Sequence, residues 1–475
     1  MLTTQDQRAE NYDLPASIFR AYDIRGIAGT ELTTHNIRLI GQAIGTLALE
    51  FRQNTLLFGA DGRLSSPALS AALQQGILST GCNLVDLGVI PTPLLYFGTH
   101  TTAWTSGLML TASHNPADYN GIKMINQRTC LTPEQISRLH RYIRAGNFQQ
   151  GQGQLTTLDL KSAYIHRLQQ DIKLLRPLRV VIDCGNAVPS VLAPDLFTTL
   201  GCEVLPLFCD LDGHFPNHHP DPTIATNLTA LIKAVRSNKA DVGIAFDGDG
   251  DRVVLITDQG RVIDTDRLLM LFIKEVLPRY RTETNSDKKP KVVFDVKCSR
   301  LLSSLILEQG GEPVMSRSGH SFMKKCMQET GAVLGAEFSA HIFFKDGWYG
   351  YDDGLYVAAR FLALLSAQTE SADALLEHLP KSVVTPELRI EVSDELKFVL
   401  MDKIRKLADF PQARINLMDG VRADFKNGWG LIRASNTTPA LLLRFEADNN
   451  KSLQAIQILF RELLTRVDSG LNICF

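Results

Sequence analysis

Between Asn36 and Phe51, apolar residues fall at Ile37, Ile40, Ala43, Ile44 and Leu47, a spacing that predicts an amphipathic helix. Thr55–Gly59 is a short apolar run that ends in Ala60-Asp61-Gly62-Arg63 and reads as a strand entering a loop. Pro67–Gly81 then reads as helix and Asn83–Leu87 as the next strand. Strand, loop, helix, strand is the rhythm of a sheet flanked by helices.

The rhythm recurs twice. Leu178–Asp183 predicts a strand ending at Cys184-Gly185-Asn186, followed by a helix from about Ser190 to Leu200 and a strand over Cys202–Phe208. After Lys291, the run VVFDV leads into Lys297-Cys298-Ser299-Arg300, a helical SLILEQ stretch and a PVMSR strand. These segments read as three copies of one αβ plan. The polar stretch Arg281–Lys291 reads as a solvated loop within a domain, and a boundary is expected within Thr369–Pro386. Beyond it, short strands at Leu388–Val392, Trp429–Arg433 and Leu441–Glu446 mix with helices at about Ser393–Leu407 and Lys451–Val467. That mixture predicts a smaller α+β terminal domain.

At 475 residues the chain calls for three or four domains. A hydrophobic share of 44% and a charged share of 21% are those of a globular protein. The net charge of -2 provides no global basic field for nucleic acid, which points to a small-molecule enzyme. None of the eight cysteines (Cys82, Cys130, Cys184, Cys202, Cys209, Cys298, Cys326 and Cys474) forms a C-x-x-C pair, against a zinc ribbon or a thioredoxin-like site. The N-terminal stretch shows no secretory signal, and no apolar run is long enough to span a bilayer. The expectation is a reduced, cytoplasmic, monomeric protein with no membrane or nucleic-acid partner.

Four apolar strands run directly into polar loops: Gly107–Pro116, Val242–Arg252, Ala332–His341 and Gly430–Pro439. Ligands collect at the carboxyl ends of strands in αβ domains, so these four loops are expected to line one central cleft. In the second, Asp247, Asp249 and Asp251 alternate with glycines that let three carboxylates converge. Clustered carboxylates need a cation, and oxygen-only ligands suit Mg²⁺. An EF-hand is excluded by spacing, because its sixth position would be Arg252 and its twelfth Asp258.

Ser113 stands on a turn after an apolar strand, with His114 and Lys123 as a candidate base and positive charge. Taken alone, such a serine reads first as a turn or cap residue. No G-x-S-x-G elbow is present, which disfavours an α/β-hydrolase. The loop Arg433-Ala434-Ser435-Asn436-Thr437-Thr438 offers a guanidinium, hydroxyls and an amide suited to phosphate, or equally an ordinary turn. Glu337, Ser339 and His341 alternate along what reads as an extended stretch, an array suited to sugar hydroxyls.

In this order the four motifs resemble the α-D-phosphohexomutase superfamily, and within it the bacterial phosphomannomutase/phosphoglucomutase group. The likeness runs from Ile18-Phe19-Arg20-Ala21-Tyr22-Asp23-Ile24-Arg25-Gly26 to the last loop. It implies an α/β fold of three similar αβα domains with mixed sheets (residues 1–158, 159–262 and 263–375) and a smaller α+β C-terminal domain (376–475), four domains around a central cleft. It implies that Ser113 is the phosphorylated serine and that Asp247, Asp249 and Asp251, with a phosphoserine oxygen, bind Mg²⁺. Glu337, Ser339 and His341 match the sugar-reading loop; Arg433, Ser435, Asn436 and Thr437 match the phosphate loop. Tyr22, Arg25, Lys123, Arg252, Lys297 and His320 match positions that contact substrate or assist proton transfer. The implied substrates are hexose phosphates, with a hexose 1,6-bisphosphate as intermediate and activator.

The family's sugar loop usually reads Gly-Glu-Met-Ser-Gly-His. Here it reads Ala336-Glu337-Phe338-Ser339-Ala340-His341, with a methyl on each former glycine and Phe for Met. Phosphoglucosamine mutases tend to carry Gln at Phe338, so mannose and glucose phosphates are the expected substrates. Glucosamine phosphate and a non-catalytic sugar-phosphate binder are the alternatives.

Overall fold

The computed structural model describes residues 14–20, 22–284, 288–435, 438–473 and 475. Two compact units divide the chain: Met1–Val262 with Tyr351–Ala372, and Ile263–Gly350 with Asp373–Phe475.

The first unit holds two of the three αβ repeats. In one, Thr55–Ala60 pairs in parallel with Asn83–Val89 on one side and Gly107–Leu110 on the other. Gly107–Leu110 then pairs antiparallel with Tyr119–Asn126. In the next, Arg179–Asp183 lies parallel to Glu203–Leu207 and Val242–Phe246, and Val242–Phe246 is antiparallel to Val253–Thr257. The second unit repeats the plan. There Lys291–Asp295 is flanked in parallel by Glu312–Ser316 and Leu334–Glu337, and Leu334–Glu337 is antiparallel to His341–Phe344.

All three mixed sheets therefore share the spatial order fourth, third, first, second. The third strands Gly107–Leu110, Val242–Phe246 and Leu334–Glu337 are buried at every position, as strands covered on both faces must be. Each loop that connects a third strand to its antiparallel fourth carries one of the polar motifs. Residue identity between the repeats is low, yet the shared strand order is the common αβ plan that the sequence pattern suggested.

The C-terminal part is an antiparallel sheet in which Ala440–Ala447 pairs with Gly428–Ala434, and that strand with Val421–Phe425. Helices Asp394–Leu407 and Asn450–Val467 bury one side each in a core that includes Phe410, Phe445 and Phe460. It is the expected α+β arrangement.

Two local readings need correction. The helix expected from about Ser190 to Leu200 is broken into a 3₁₀ turn Val188–Val191 and a helix Ala193–Thr199, because Pro194 has no N–H to continue the ladder. The helix Thr265–Thr284 enters the polar stretch that reads as a loop from Arg281; charged residues do not break a helix, and no Gly or Pro stands between Arg279 and Thr284. Residues 285–287 lie outside the described residues.

Residues 351–372 pack with the first unit although they follow the third sheet in sequence. Asp353 caps helix Gly354–Ser366 by accepting the Tyr356 N–H, and both its oxygens accept the Tyr164 hydroxyl at 2.9 Å. Gly354 N–H donates to the Gly250 carbonyl at 3.1 Å, so the start of this helix supports the aspartate loop.

Candidate active site

Ser113 follows strand Gly107–Leu110 by three residues, is buried, and sits at φ 51°, a left-handed conformation uncommon for a non-glycine residue. Its Oγ donates to Asp247 Oδ2 at 2.7 Å and lies 3.2 Å from His114 Nδ1. Half-buried by surface but closely surrounded by protein, His114 is held well below the ordinary histidine pKa, first by desolvation and then by Arg252 and Arg25. It is neutral and offers a proton acceptor beside the hydroxyl.

The three aspartates lie on the loop after Val242–Phe246, all fully buried, with carboxylate oxygens within 4.8 Å of one another. Lys123 Nζ donates to Asp249 Oδ2 at 2.6 Å and Asp251 Oδ2 at 2.5 Å. Burial opposes its charge, yet Asp249, Asp251 and Asp247 raise its pKa, so it is a firm ammonium. Burial, followed by Asp251 and Asp249, pushes the Asp247 carboxyl well up. One ammonium among three carboxylates leaves excess negative charge, and Asp249 Oδ1 is buried without a hydrogen-bond partner among the described residues. That donor set fits a hard divalent cation.

Two glycines make this convergence possible. A Cβ on Gly248 would lie 2.1 Å from the Ser113 carbonyl oxygen, and Gly250 adopts φ 78°. Arg252 Nε stands 3.7 Å from Asp247 Oδ2. Arg25 lies on Asp23–Ile27, whose register sets Asp23 opposite Lys123, and donates to Asn115 Oδ1 at 2.6 Å. Tyr22 is half-buried just before that strand. The first unit thus brings Ser113, His114, Lys123, Arg25, Arg252 and the three aspartates together.

The second unit holds the other candidates. Glu337 and His341 are not on one extended stretch, as their alternation reads; they face each other across a tight hairpin whose turn includes Ala340 at φ 73°. His341 Nδ1 is 3.5 Å from Glu337 Oε2 and 3.3 Å from Ser339 Oγ. Against the desolvation that would raise it, His341 and then Lys297 hold the Glu337 carboxyl well below the usual range. The His320 ring stacks on His341 at 5.5 Å, at the start of helix His320–Thr330. Arg433 Nε donates to Asp419 at 3.1 Å, and its buried Nη2 has no partner among the described residues. Ser435 Oγ accepts from Thr438 N–H at 3.1 Å; Asn436 and Thr437 lie outside the described residues.

Four family profiles match in chain order. They are phosphoglucomutase/phosphomannomutase alpha/beta/alpha domain I over residues 16–150, domain II over 162–260, domain III over 264–383, and the C-terminal domain over 387–463. The chain belongs to the phosphoglucomutase/phosphomannomutase family. A phosphomannomutase/phosphoglucomutase of Pseudomonas putida is 47% identical over 97% of this chain and 98% of its own. A Neisseria meningitidis phosphoglucomutase is 43% identical over 95% of this chain and 97% of its own. The crystal structure of a phosphoglucomutase/phosphomannomutase family protein from Burkholderia thailandensis superposes with a TM-score of 0.92 at 42% identity, covering 98% of this chain and 100% of that one. Family membership makes the chain a phosphohexomutase, a phosphotransferase that isomerises its substrate.

Sequence reasoning missed the groups that hold this site in shape. Thr92 N–H donates to the Asp249 carbonyl at 2.9 Å and its hydroxyl to the Asp249 carboxylate. Asp295, Arg63 and Asp61 also escaped notice as site residues. The only sequence signal was an Asp at or just past the end of each first strand, at positions 61, 183 and 295.

Proposed function

We propose that the chain interconverts hexose 1-phosphates and hexose 6-phosphates, those of mannose and glucose, by passing a phosphoryl group through Ser113. The observation that carries the reading is the buried Ser113 hydroxyl bound to Asp247 within the aspartate–Lys123 cluster. The phosphoserine P–Oγ bond breaks as the free hydroxyl oxygen of the hexose monophosphate bonds to phosphorus; that hydroxyl loses its proton and Ser113 Oγ gains one, giving a hexose 1,6-bisphosphate and free serine. After the sugar turns over, its other phosphate returns to Ser113 Oγ, so no net phosphoryl is consumed.

Asp247, Asp249 and Asp251 would hold Mg²⁺, which would supply charge neutralisation to the transferring group when bound. Lys123, Arg252 and Arg25 offset the charge spread over the equatorial oxygens. Neutral His114 can take a proton near Ser113 Oγ. We assign Glu337, Ser339, His341, His320 and Lys297 to the sugar, with the Glu337–His341 pair fixing the orientation of both acceptors and donors. Arg433, Ser435, Asn436 and Thr437 are assigned to the phosphate that does not react; the Arg433 Nη2, which has no hydrogen-bond partner among the described residues, supports this. Tyr22 is assigned to the substrate as well. A hexose 1,6-bisphosphate primes Ser113, and the protein acts as a cytoplasmic monomer; no described helix is long and apolar enough to cross a membrane.

Phe338 favours mannose and glucose over glucosamine phosphate. Its ring lies 3.5 Å beneath the Arg444 guanidinium, and it offers no hydrogen bond to an amino group. A coupled assay with mannose and glucose 1-phosphates, primed with 1,6-bisphosphate, tests the reading; absence of turnover on every hexose phosphate would refute it.

A further inference from the structure

Arg63 is among the largest fully buried side chains of the described residues, and Asp249 of the aspartate cluster acts on it through charge, without a hydrogen bond. Its Nε donates to Asp61 Oδ2 at 3.0 Å. Its Nη1 donates to the carbonyls of Pro116 at 2.5 Å and Tyr119 at 3.0 Å, and its Nη2 to those of Ser113 at 2.7 Å and Asn115 at 2.8 Å. A guanidinium has five N–H donors in a rigid fork, and here all five are used. Three of them end on backbone carbonyls of the loop that carries Ser113, and a fourth on Tyr119, the first residue of the strand that follows it.

Asp61 holds the same loop from its other end. It accepts the Thr111 hydroxyl at 2.7 Å, and Thr111 Oγ1 in turn accepts the Ser113 N–H at 3.0 Å. The peptide groups on both sides of Ser113 are therefore fixed, one through Thr111 and one through its own carbonyl. A non-glycine residue in the left-handed region is disfavoured and persists only where surroundings over-determine it. Ser113 at φ 51° is such a residue, and the Asp61–Arg63 pair provides the determination.

We propose that Arg63, anchored by Asp61, is the positioning residue that aims Ser113 Oγ at the reacting phosphoryl group. It acts on the nucleophile's backbone and touches no substrate. A lysine would keep the charge but offers three donors on a flexible stem, so it cannot span four carbonyls and a carboxylate. The inference rests on Ser113 being the phosphoryl carrier, and the test separates the two claims.

Arg63→Lys, Arg63→Met, Thr111→Val and Ser113→Ala are compared by kcat and KM for glucose 1-phosphate, phosphorylation by intact mass, and thermal melting. Both Arg63 variants are expected to lose kcat by about tenfold to a hundredfold, the penalty of a misplacement near 1 Å, with KM within about twofold. A variant that only loses folded protein would lose active enzyme in proportion and recover when corrected for it. Arg63→Lys at wild-type kcat, or a loss accounted for by the unfolded fraction, overturns the proposal. If neither Arg63 variant folds, Thr111→Val decides: a kcat loss at unchanged KM supports the proposal, and wild-type kcat overturns it. Ser113→Ala with full activity overturns the carrier reading and this inference with it; an inactive Ser113→Ala beside a normal Arg63→Lys overturns the inference alone.

Discussion

Gly248→Ala isolates the close approach between the serine and aspartate loops. The added Cβ would lie 2.1 Å from the Ser113 carbonyl oxygen, 3.0 Å from its carbon and 3.4 Å from Pro220 Cγ. Ordinary van der Waals contact begins near 3.4 Å, so more than an ångström must be found. The obstructing group is backbone, and that carbonyl is already tied to Arg63 Nη2, so it cannot swing aside cheaply. Overpacking of this kind costs about 1–3 kcal/mol. A shift near 1 Å between the proposed nucleophile and the proposed metal ligands costs about a hundredfold in rate. Steady-state turnover should therefore fall by about two orders of magnitude, with the melting temperature lowered by roughly 2–10 °C. KM for hexose phosphate should change little, since Glu337 and His341 belong to the other unit. Gly29→Ala is the control: Gly29 has φ 82° but nothing within 4 Å, so it should lose a little stability and no activity. Wild-type kcat in Gly248→Ala would refute the claim that the two loops are held at their closest approach.

Three further outcomes are expected. Lys123→Met leaves Asp249 and Asp251 without their buried ammonium; removing one partner of a buried pair costs about 3–5 kcal/mol, and added Mg²⁺ should raise the variant's melting temperature more than the wild type's. Excess chelator should stop turnover while the far-ultraviolet dichroism stays native, and full activity in chelator would count against the aspartates as ligands. Burial opposes the His218 charge, but its hydrogen bond to Asp183 and that carboxylate's charge raise its pKa above 6.5. The pair's contribution is thus complete below the unfolded value and lost as pH rises through the folded one, so the stability gap between wild type and His218→Gln should be wider at about pH 5.5 than at about pH 8.5; a gap that widens with pH would refute the sign.

Much of this was legible in the sequence because apolar periodicity is a local property. Strand Thr55–Ala60, helix Thr34–Glu50 and helix Asn450–Val467 fall within two residues of the pattern-based limits. Short strands such as Arg414–Asn416 were not legible, because three residues, two exposed and one half-buried, carry no period. Among site residues, the aspartates announced themselves by charge density. Glu337 and His341 were singled out as candidates, but their geometry was misjudged: the tight turn at Ala340 uses a left-handed residue that is not glycine, so no turn signal marks it. Arg63 was invisible for a different reason. Its partners are carbonyls, which every sequence has, and only the fold determines which carbonyls meet.

The three repeats show how one topology holds three different polar motifs. In each, the chain reverses between a buried parallel third strand and an antiparallel fourth, and this reversal is the loop free to vary. The anchor beneath it is an aspartate at the end of the first strand, next to the third in every sheet. Asp61 holds Arg63 and Thr111 and so shapes the serine loop. Asp295 accepts the Phe338 N–H at 3.3 Å as well as the Ser318 hydroxyl, and so shapes the Glu337 hairpin. Asp183 instead pairs with His218 and the Gly185 N–H. The second loop needs no such anchor, because Asp247 Oδ1 accepts the N–H groups of Gly250 at 3.0 Å and Arg252 at 3.2 Å and closes the loop on itself. An anchoring carboxylate is thus free for other pairing only in the repeat whose own carboxylates shape the turn.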